Sequence, residues 1–443
     1  MLKTFPQGGV HPEENKFSSH MKIETLPVPP QVIIPVSQHI GAPAKVLVNK
    51  GDKVTTGQLI AESGGFVSAN IHSSVSGTVV KVDTFPDSTG YRRLSVQIQT
   101  EPDEWVTDID LSPVLKRDFD YTPEEIIKKI NASGLVGLGG ATFPSHVKLS
   151  VPQGKKAEYL IVNAVECEPY LTADHSLMLE KGNEIMVGIR LMMRALKVEK
   201  AIIGIENNKP DAIKLMSELA VREKGISVLA LQVKYPQGGE KQLVKALLNR
   251  EVPSGGLPID IGVVAFNVGS IYAAYQAVQK NRPLIDRVVT VTGKSLRKPS
   301  NFMTRIGTPV QTLIDAAGGL PEDTGKVVNG GPMMGRAISS LDVPVVKGSS
   351  GILVIPETEA NRTSVLSCVR CSKCISVCPM GLEPYLLMSL SEREYFDRME
   401  KEKVLDCMEC GSCSYTCPSG RPLLDYIRLG KSKVTQLIRE RKN

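Results

Sequence analysis

Eight of the nine cysteines lie within the last 76 residues, and their spacing is the most specific chemical signal in the 443-residue chain. Cys368, Cys371, Cys374 and Cys378 precede Pro379, and Cys407, Cys410, Cys413 and Cys417 precede Pro418, so the pattern C-x2-C-x2-C-x3-C-P occurs twice, 39 residues apart. Three cysteines this close let one loop wrap a cubic iron–sulfur cluster and offer three thiolates. The fourth, ahead of a proline that redirects the chain, points to the neighbouring cluster. The expected ligand sets are therefore Cys368, Cys371 and Cys374 with Cys417, and Cys407, Cys410 and Cys413 with Cys378. Zinc is the alternative occupant, but tetrahedral zinc is usually met by paired C-x2-C units and needs neither the third close thiolate nor the proline. Two [4Fe-4S] clusters pass one electron at a time, and crossed ligands would hold them close enough to form a wire. The intervening segment, EPYLLMSLSEREYFDRMEKEKV, reads as helix-rich.

A second candidate site is GLVGLGGATFPSHVK at 134–148. Gly137, Gly139 and Gly140 let a backbone approach a ring or phosphate closely, and Lys148 can neutralise a phosphate. Taken alone, such a loop is as readily a structural turn.

The elements that must position these groups follow from the pattern. A chain of this length exceeds one ordinary core and implies three or more domains. Hydrophobic residues at 42% and charged residues at 23% are those of a folded globular protein. The net charge of +6, with basic and acidic residues interspersed, implies no nucleic acid. The most apolar stretch, 261–278, holds Asn267, Ser270 and Gln276 and reads as a buried strand followed by a helix rather than a membrane span. The first sixteen residues lack the apolar core of a secretion signal, and clustered reduced thiols suit a cytoplasmic chain.

Residues 40–82 read as short strands with turns at 49–52, 55–57 and 74–77. From Tyr121 strand and helix signals alternate. Thr122, Pro123 and Glu125 mark a helix start, with strands expected at 158–166, 200–206, 226–234 and 259–267 and helices near 177–197, 209–223 and 240–249. Such alternation favours a largely parallel sheet covered on both faces, with ligands at the carboxyl ends of its strands. Residues 286–325 break the rhythm with two strand patterns and a helix closed by Gly318, and GGPMMG follows at 330–335.

Several of these pieces resemble known modules. VLVNKGDKVTTGQLIAE with IHSSVSGTVVKV resembles the barrel-sandwich hybrid of lipoyl and biotinyl carriers, yet no lysine lies between Lys53 and Lys81 to carry a cofactor, which leaves a docking or scaffold role. Residues 286–325 resemble the soluble-ligand-binding β-grasp (SLBB) module. The glycine loop, with YLIVNAVECEPY after it and YPQGGEKQL at 235–243, resembles the flavin subunit of respiratory complex I. That resemblance implies that Gly137, Gly139, Gly140 and Lys148 hold FMN and its phosphate, that Phe143 faces the nicotinamide, and that Asn163 and Glu166 meet the flavin edge. It further places Glu168 near the dinucleotide and makes Tyr235, Gly238, Glu240 and Asn267 cofactor-binding candidates. Leu138, Thr142, Val165, Tyr170 and Gly239 depart from that family's pattern, and the lost carboxylates are of the kind that grips ribose hydroxyls.

In order and over essentially the full length, GGVHPEENK at 8–16, the lysine-free carrier-like fold, the flavin loop, GGPMMG and the double cysteine motif resemble the RnfC family of Rnf electron-transport complexes. A related component of the sodium-pumping NADH:quinone reductase lacks the cysteine motifs. The resemblance implies a multidomain α/β chain: an N-terminal segment at 1–30, a barrel-sandwich hybrid at 31–118, a doubly wound, Rossmann-like FMN- and NADH-binding domain at 119–284, an SLBB β-grasp module at 285–358 and a helical double-cluster ferredoxin domain at 359–443. It implies an ion-transporting ferredoxin:NAD oxidoreductase subunit, a translocase component, peripheral on the cytoplasmic face of the inner membrane. Its cofactors would be two [4Fe-4S] clusters, FMN and NAD(H), and its partners membrane subunits and a ferredoxin-type subunit. The alternatives are a soluble flavin dehydrogenase or hydrogenase subunit, and a non-enzymatic iron–sulfur relay or scaffold. Among lesser signals, Cys167 reads as a buried inert thiol, His146 as packing in the flavin loop, and Tyr385 and Tyr395 as core. The basic tail KSKVTQLIRERKN reads as a solvated helix end or a surface for anionic partners.

Overall fold

The computed structural model describes residues 2–442. After β1 (Ile23–Thr25), strands β2 (Gln31–Pro35), β3 (Lys45–Val46), β4 (Lys53–Val54), β5 (Leu59–Glu62), β6 (Ile71–His72), β7 (Gly77–Pro86) and β8 (Arg92–Thr100) build the carrier-like unit. They form two sheets, ordered β2-β8-β7-β4 and β3-β5-β6. Alternation sets which side faces in: Val32 pairs with Ile98 and Ile34 with Val96, and all four are buried in this unit's own core.

Helix α1 (Pro123–Ala132) begins as the sequence expects. The Thr122 hydroxyl accepts from the Glu125 N–H, and the Glu125 carboxylate accepts from the Thr122 N–H at 2.7 Å, so two otherwise orphaned donors are satisfied. Then follow α2 (Ser145–Leu149), β9 (Tyr159–Asn163), α3 (Ala173–Leu196), β10 (Lys200–Glu206), α4 (Pro210–Ala220), β11 (Ile226–Leu231), α5 (Glu240–Leu248), β12 (Val263–Asn267) and α6 (Val268–Gln279). The four strands are parallel, in the order β11-β10-β9-β12. They read as continuous apolar runs because helices cover both faces: α1, α3 and α6 share one core, and α5 packs on the opposite side. The stretch 261–278 is the expected strand and helix, β12 and α6. Three strands are shorter than the pattern suggests: β9 ends at Asn163, and the other two end early or begin late for visible reasons. Residues 232–235 leave the sheet to pair with the N-terminal segment, and 258–261 form a 3-10 turn capped by Gly262 in the left-handed region.

The next unit holds β13 (Asp286–Thr292), β14 (Ser300–Arg305), α7 (Val310–Ala316), β15 (Thr324–Asn329), β16 (Arg336–Ala337) and β17 (Gly351–Pro356). Together with β1 they make a six-stranded sheet. Gly318, at φ +101°, closes α7 as expected. The last unit is helical: α8 (Glu357–Ala360), α9 (Lys373–Ser376), α10 (Pro384–Glu392), α11 (Phe396–Lys401), α12 (Ser412–Tyr415) and α13 (Leu423–Lys442). Its core is formed by Leu387, Met388, Leu390, Met399, Leu423 and Ile427, with five of the motif cysteines at its margin. Tyr385 and Tyr395 are not core residues; both are exposed, Tyr385 because α10 turns its Leu387, Met388 and Leu390 side inward instead, and Tyr395 in the link ahead of α11. The basic tail is the end of α13 as far as Lys442, and Asn443 lies outside the described residues. No helix among the described residues is long and apolar enough to cross a membrane.

The N-terminal segment laces these units together. It bridges Lys3 to Leu231 and Val10 to Tyr235, donates from the Gly9 N–H to the Val377 carbonyl at 2.9 Å, and sends the Lys16 ammonium to the carbonyls of Glu166, Glu168 and Leu171 at 2.7–2.9 Å.

Candidate redox site

The chain winds from β9 outward through β10 and β11 and returns to β12 on the other side of β9. The crevice beyond the carboxyl ends of β9 and β12 is thus the topological switch point, where an open parallel sheet takes its ligand. Asn163 and Asn267 face each other there in register. The glycine loop lies along the same crevice. It is pinned by the Gly137 N–H on the Phe143 carbonyl at 2.9 Å and the Leu138 N–H on the Ser270 hydroxyl at 2.8 Å. A Cβ at Gly139 would come within 3.3 Å of the Asn267 side chain, whereas Gly140, at φ +111°, looks onto open space. Lys148, on the last turn of α2, reaches the same place. Its ammonium donates to the Ala265 carbonyl at 2.7 Å and the Glu240 carboxylate at 2.5 Å, above the Phe266 ring.

The other expected residues divide into two groups. Glu166 and Asn267 frame the crevice, but their polar atoms are engaged in structure. Glu166, held at φ +48°, accepts from the Asp174 and His175 N–H groups at the start of α3. Asn267 caps α6 and donates to Asp174 at 2.6 Å. Burial, aided by the Glu166 charge, pushes the Asp174 carboxyl up to about 7. Asn163 donates to the Gly238 carbonyl at 2.8 Å. Phe143 is half-buried in the loop. Glu168 and Tyr235 have their polar atoms engaged by the last two units of the chain. The Glu168 carboxylate is enclosed, its proton affinity raised by burial, and accepts from the Met333 and Met334 N–H groups of the GGPMMG turn at 2.7 and 3.0 Å. Tyr235, 2% exposed, donates its hydroxyl to the Cys410 carbonyl at 2.7 Å. Cys167 is half-buried rather than fully buried; burial raises its thiol well above the ordinary range, and it accepts weakly from the Gly238 N–H. His146 is buried, with Nε2 at 3.1 Å from the Phe66 carbonyl. Sequence reasoning missed Asp174, Ser270 and Lys16, and no local pattern marks them. It noted GGVHPEENK and GGPMMG without seeing that both close on the flavin loops.

As they stand, no three of the motif cysteines are gathered into a metal site among the described residues. Cys407 and Cys413 lie near Cys410 and Cys378, and Cys374 near Cys417 and Cys368. These neighbours are the ones that a crossed ligation would use. Burial pushes the Cys407 thiol up to about 11 and Cys413 higher still, with the neighbouring thiols adding to the effect. Packed thiols that resist ionisation alone are suited to cationic iron, which would neutralise the thiolates as it binds. The Cys378 set sits against the crevice domain. Gln242 on α5 donates to the Pro379 carbonyl at 3.2 Å, Asp406 accepts from the Gly255 N–H at 3.2 Å, and a Cβ at Gly8 would strike the Cys378 backbone. The Cys417 set is peripheral: Cys368 and Cys371 are exposed. The glycine cradle with its lysine fits FMN, and the two thiol sets fit clusters.

Comparison with known proteins agrees with both. A family model described as the Nuo51 FMN-binding domain matches residues 130–276, and one for the RnfC barrel sandwich hybrid domain matches residues 3–103. An SLBB domain matches residues 288–337, and a 4Fe-4S dicluster domain residues 361–418. The C component of the proton-translocating ferredoxin:NAD(+) oxidoreductase complex of Clostridium ljungdahlii is 46% identical over 91% of this chain and 87% of its own length. The C component of the Na(+)-translocating complex of Acetobacterium woodii is 43% identical over 97% of this chain and 96% of its own. A solved NAD+-reducing [NiFe]-hydrogenase chain superposes with a TM-score of 0.51 at 17% identity. The match covers 71% of this chain and 63% of that one, a likeness of fold.

Proposed function

Because the chain belongs to the RnfC family, the C components of ion-translocating oxidoreductase complexes, we propose that it is the peripheral subunit in which electrons are exchanged between NAD(H), FMN and two [4Fe-4S] clusters. The overall reaction is the transfer between ferredoxin and NAD named for its relatives. Bound FMN supplies the capacity to exchange electrons in pairs with a nicotinamide and singly with a cluster.

This chain's residues supply the positions. Gly137, Gly139 and Gly140 admit a ring edge, Asn163 and Asn267 border it, and Lys148 exchanges its Glu240 partner for a phosphate. Glu168 and Tyr235 serve as braces rather than as ribose contacts. Cys407, Cys410, Cys413 and Cys378 would hold the cluster nearer the crevice, and Cys368, Cys371, Cys374 and Cys417 the farther one.

The observation that carries this reading is the Tyr235 hydroxyl on the Cys410 carbonyl, which ties the strand-end loops of the crevice to the loop of the nearer cluster. The location at the cytoplasmic face, beside membrane subunits and a ferredoxin-type subunit, draws support from the relatives' names, which are those of ion-translocating complexes that use ferredoxin and NAD. The test is anaerobic purification with flavin extraction, iron assay and an NADH bleaching experiment. One flavin, about eight iron atoms per chain and bleaching by NADH are expected. Iron without flavin or bleaching would leave only an iron–sulfur relay.

A further inference from the structure

Asp174 takes no part in positioning the flavin, yet it stands one hydrogen bond from the crevice. It lies in the first turn of α3 and accepts from the Asn267 side chain at 2.6 Å. Asn267 borders the crevice, where a Cβ at Gly139 would come within 3.3 Å of it. On its other side the half-buried Asp174 lines a cavity of about 40 Å³ between α3, α6 and the start of β13, together with Leu138, Gly269, Tyr272, Asp286 and Arg287. That is room for about one or two water molecules, with polar groups to hold them. Arg282 and Asp286, paired with each other and partly exposed, carry the lining towards the surface.

The charges facing Asp174 oppose one another. The Glu166 carboxylate lies beside it, accepting from the Asp174 and His175 N–H groups, and disfavours a second negative charge. Arg287 favours one, but gives its N–H groups to the carbonyls of Lys347, Val288 and Leu138. Lys209, anchored on the Val165 carbonyl, acts in the same direction as Arg287. Tyr272, from α6, is held neutral by burial. A carboxyl group balanced in this way responds to any further charge placed beside it. Two electrons entering bound FMN as a hydride bring one negative charge to the crevice, and the intervening protein screens that charge far less than water would.

We propose that Asp174 is a redox-linked proton site of the crevice, taking one proton from water in the cavity when bound flavin accepts an electron pair and returning it when the pair departs. The proposal rests on flavin binding in the crevice and adds to it a residue that offsets the charge arriving there. A hydride from a nicotinamide carries two electrons and one proton to the ring, and a second proton passes from solvent to a carboxylate oxygen of Asp174. When the two electrons leave singly for one-electron acceptors, both protons are released, so atoms and charge balance in either direction. Asp174 acts through charge, and its proton affinity rises about tenfold or more while the pair is present.

The test uses the full chain, purified anaerobically with its flavin, and reads infrared difference spectra between the oxidised and the reduced flavin near neutral pH. The carbonyl stretching band of a protonated carboxyl group grows on reduction. It shifts when the protein is made with isotope-labelled aspartate, stays in place with labelled glutamate, and is missing from D174N. Proton uptake per electron pair, taken from the pH dependence of the flavin potential, is lower in D174N by roughly one-half to one proton. The labels are read on the parent protein, so the outcome does not depend on the variant folding. A band absent from the parent, equal in both oxidation states, moved by the glutamate label or retained in D174N overturns the proposal. A chain that purifies without flavin overturns the reading on which it rests; flavin bound with an unchanging Asp174 overturns the proposal alone.

Discussion

Replacing Tyr235 by Phe removes one oxygen atom from the joint between the crevice and the nearer cluster. The ring stays packed among Val10, Cys410, Met333 and Met408, so the perturbation is confined to the hydroxyl's contacts with the Cys410 carbonyl and the neighbouring Glu168 carboxylate. At 2% exposure and 2.7 Å the hydroxyl is well shielded, and its loss deprives the Cys410 carbonyl of that donor. Such a loss costs about 1–3 kcal/mol, which is roughly a 5- to 150-fold rise in local opening of the loop. Hydrogen exchange read by mass spectrometry should show faster exchange at residues 408–412 in the variant. The low-temperature electron paramagnetic resonance signal of the nearer cluster should change while that of the farther one keeps its shape. Flavin content should match the parent, since the hydroxyl is engaged by the Cys410 carbonyl. If exchange at 408–412 and both cluster signals are unchanged, Tyr235 does not brace the joint. A loss of flavin with unchanged cluster signals would return Tyr235 to the cofactor.

Four further outcomes are expected. Lys148→Ala lowers flavin occupancy with iron intact, measured by extraction; equal flavin would remove Lys148 from the site. Cys417→Ser perturbs the cluster of Cys368, Cys371 and Cys374, and a spectroscopic loss confined to the other cluster would overturn the crossed grouping. Gly331→Ala drives a methyl group into the Glu168 side chain and should destabilise the protein by about 1–3 kcal/mol in anaerobic denaturant titrations; a neutral result would mean that the turn moves freely. Burial raises Glu206 to about 7. With the folded value above the unfolded one, its contribution to stability is complete below about 4.5 and is lost as pH rises through about 7. Glu206→Gln should therefore flatten the fall in stability over that range, and an unchanged pH profile would show that Glu206 is not the group responsible.

What the sequence disclosed and what it hid separate by distance along the chain. The helix start at Thr122 and Glu125, the alternating elements and the cysteine spacing are local patterns, and each can be read in a window of a few residues. Glu168 and Tyr235 could not be placed that way. Their partners, Met333 and Cys410, lie 165 and 175 residues away, and nothing near either residue reveals that its polar atom is engaged. Tyr385 and Tyr395 were misplaced for a related reason. An aromatic residue in a helix-rich segment suggests core, but the inward side of α10 is filled by leucine and methionine, and Tyr395 falls in the link between α10 and α11. The crevice itself was half legible: its glycines and Lys148 carry a pattern, whereas Asp174 and Ser270 acquire their roles only when β12 and α6 arrive beside the loop.

The lacing of the N-terminal segment has a consequence for biosynthesis. Lys3, Gly9, Val10 and Lys16 leave the ribosome long before Val377, and Gly9 has to wait for that residue before its hydrogen bond can close. Lys16 finds its partners at 166–171 and Lys3 and Val10 theirs at 231 and 235, so the thread is drawn in by stages, and its last contact closes only once the cysteine-bearing end is being made. Final closure of the molecule is thereby coupled to completion of the part that must receive iron.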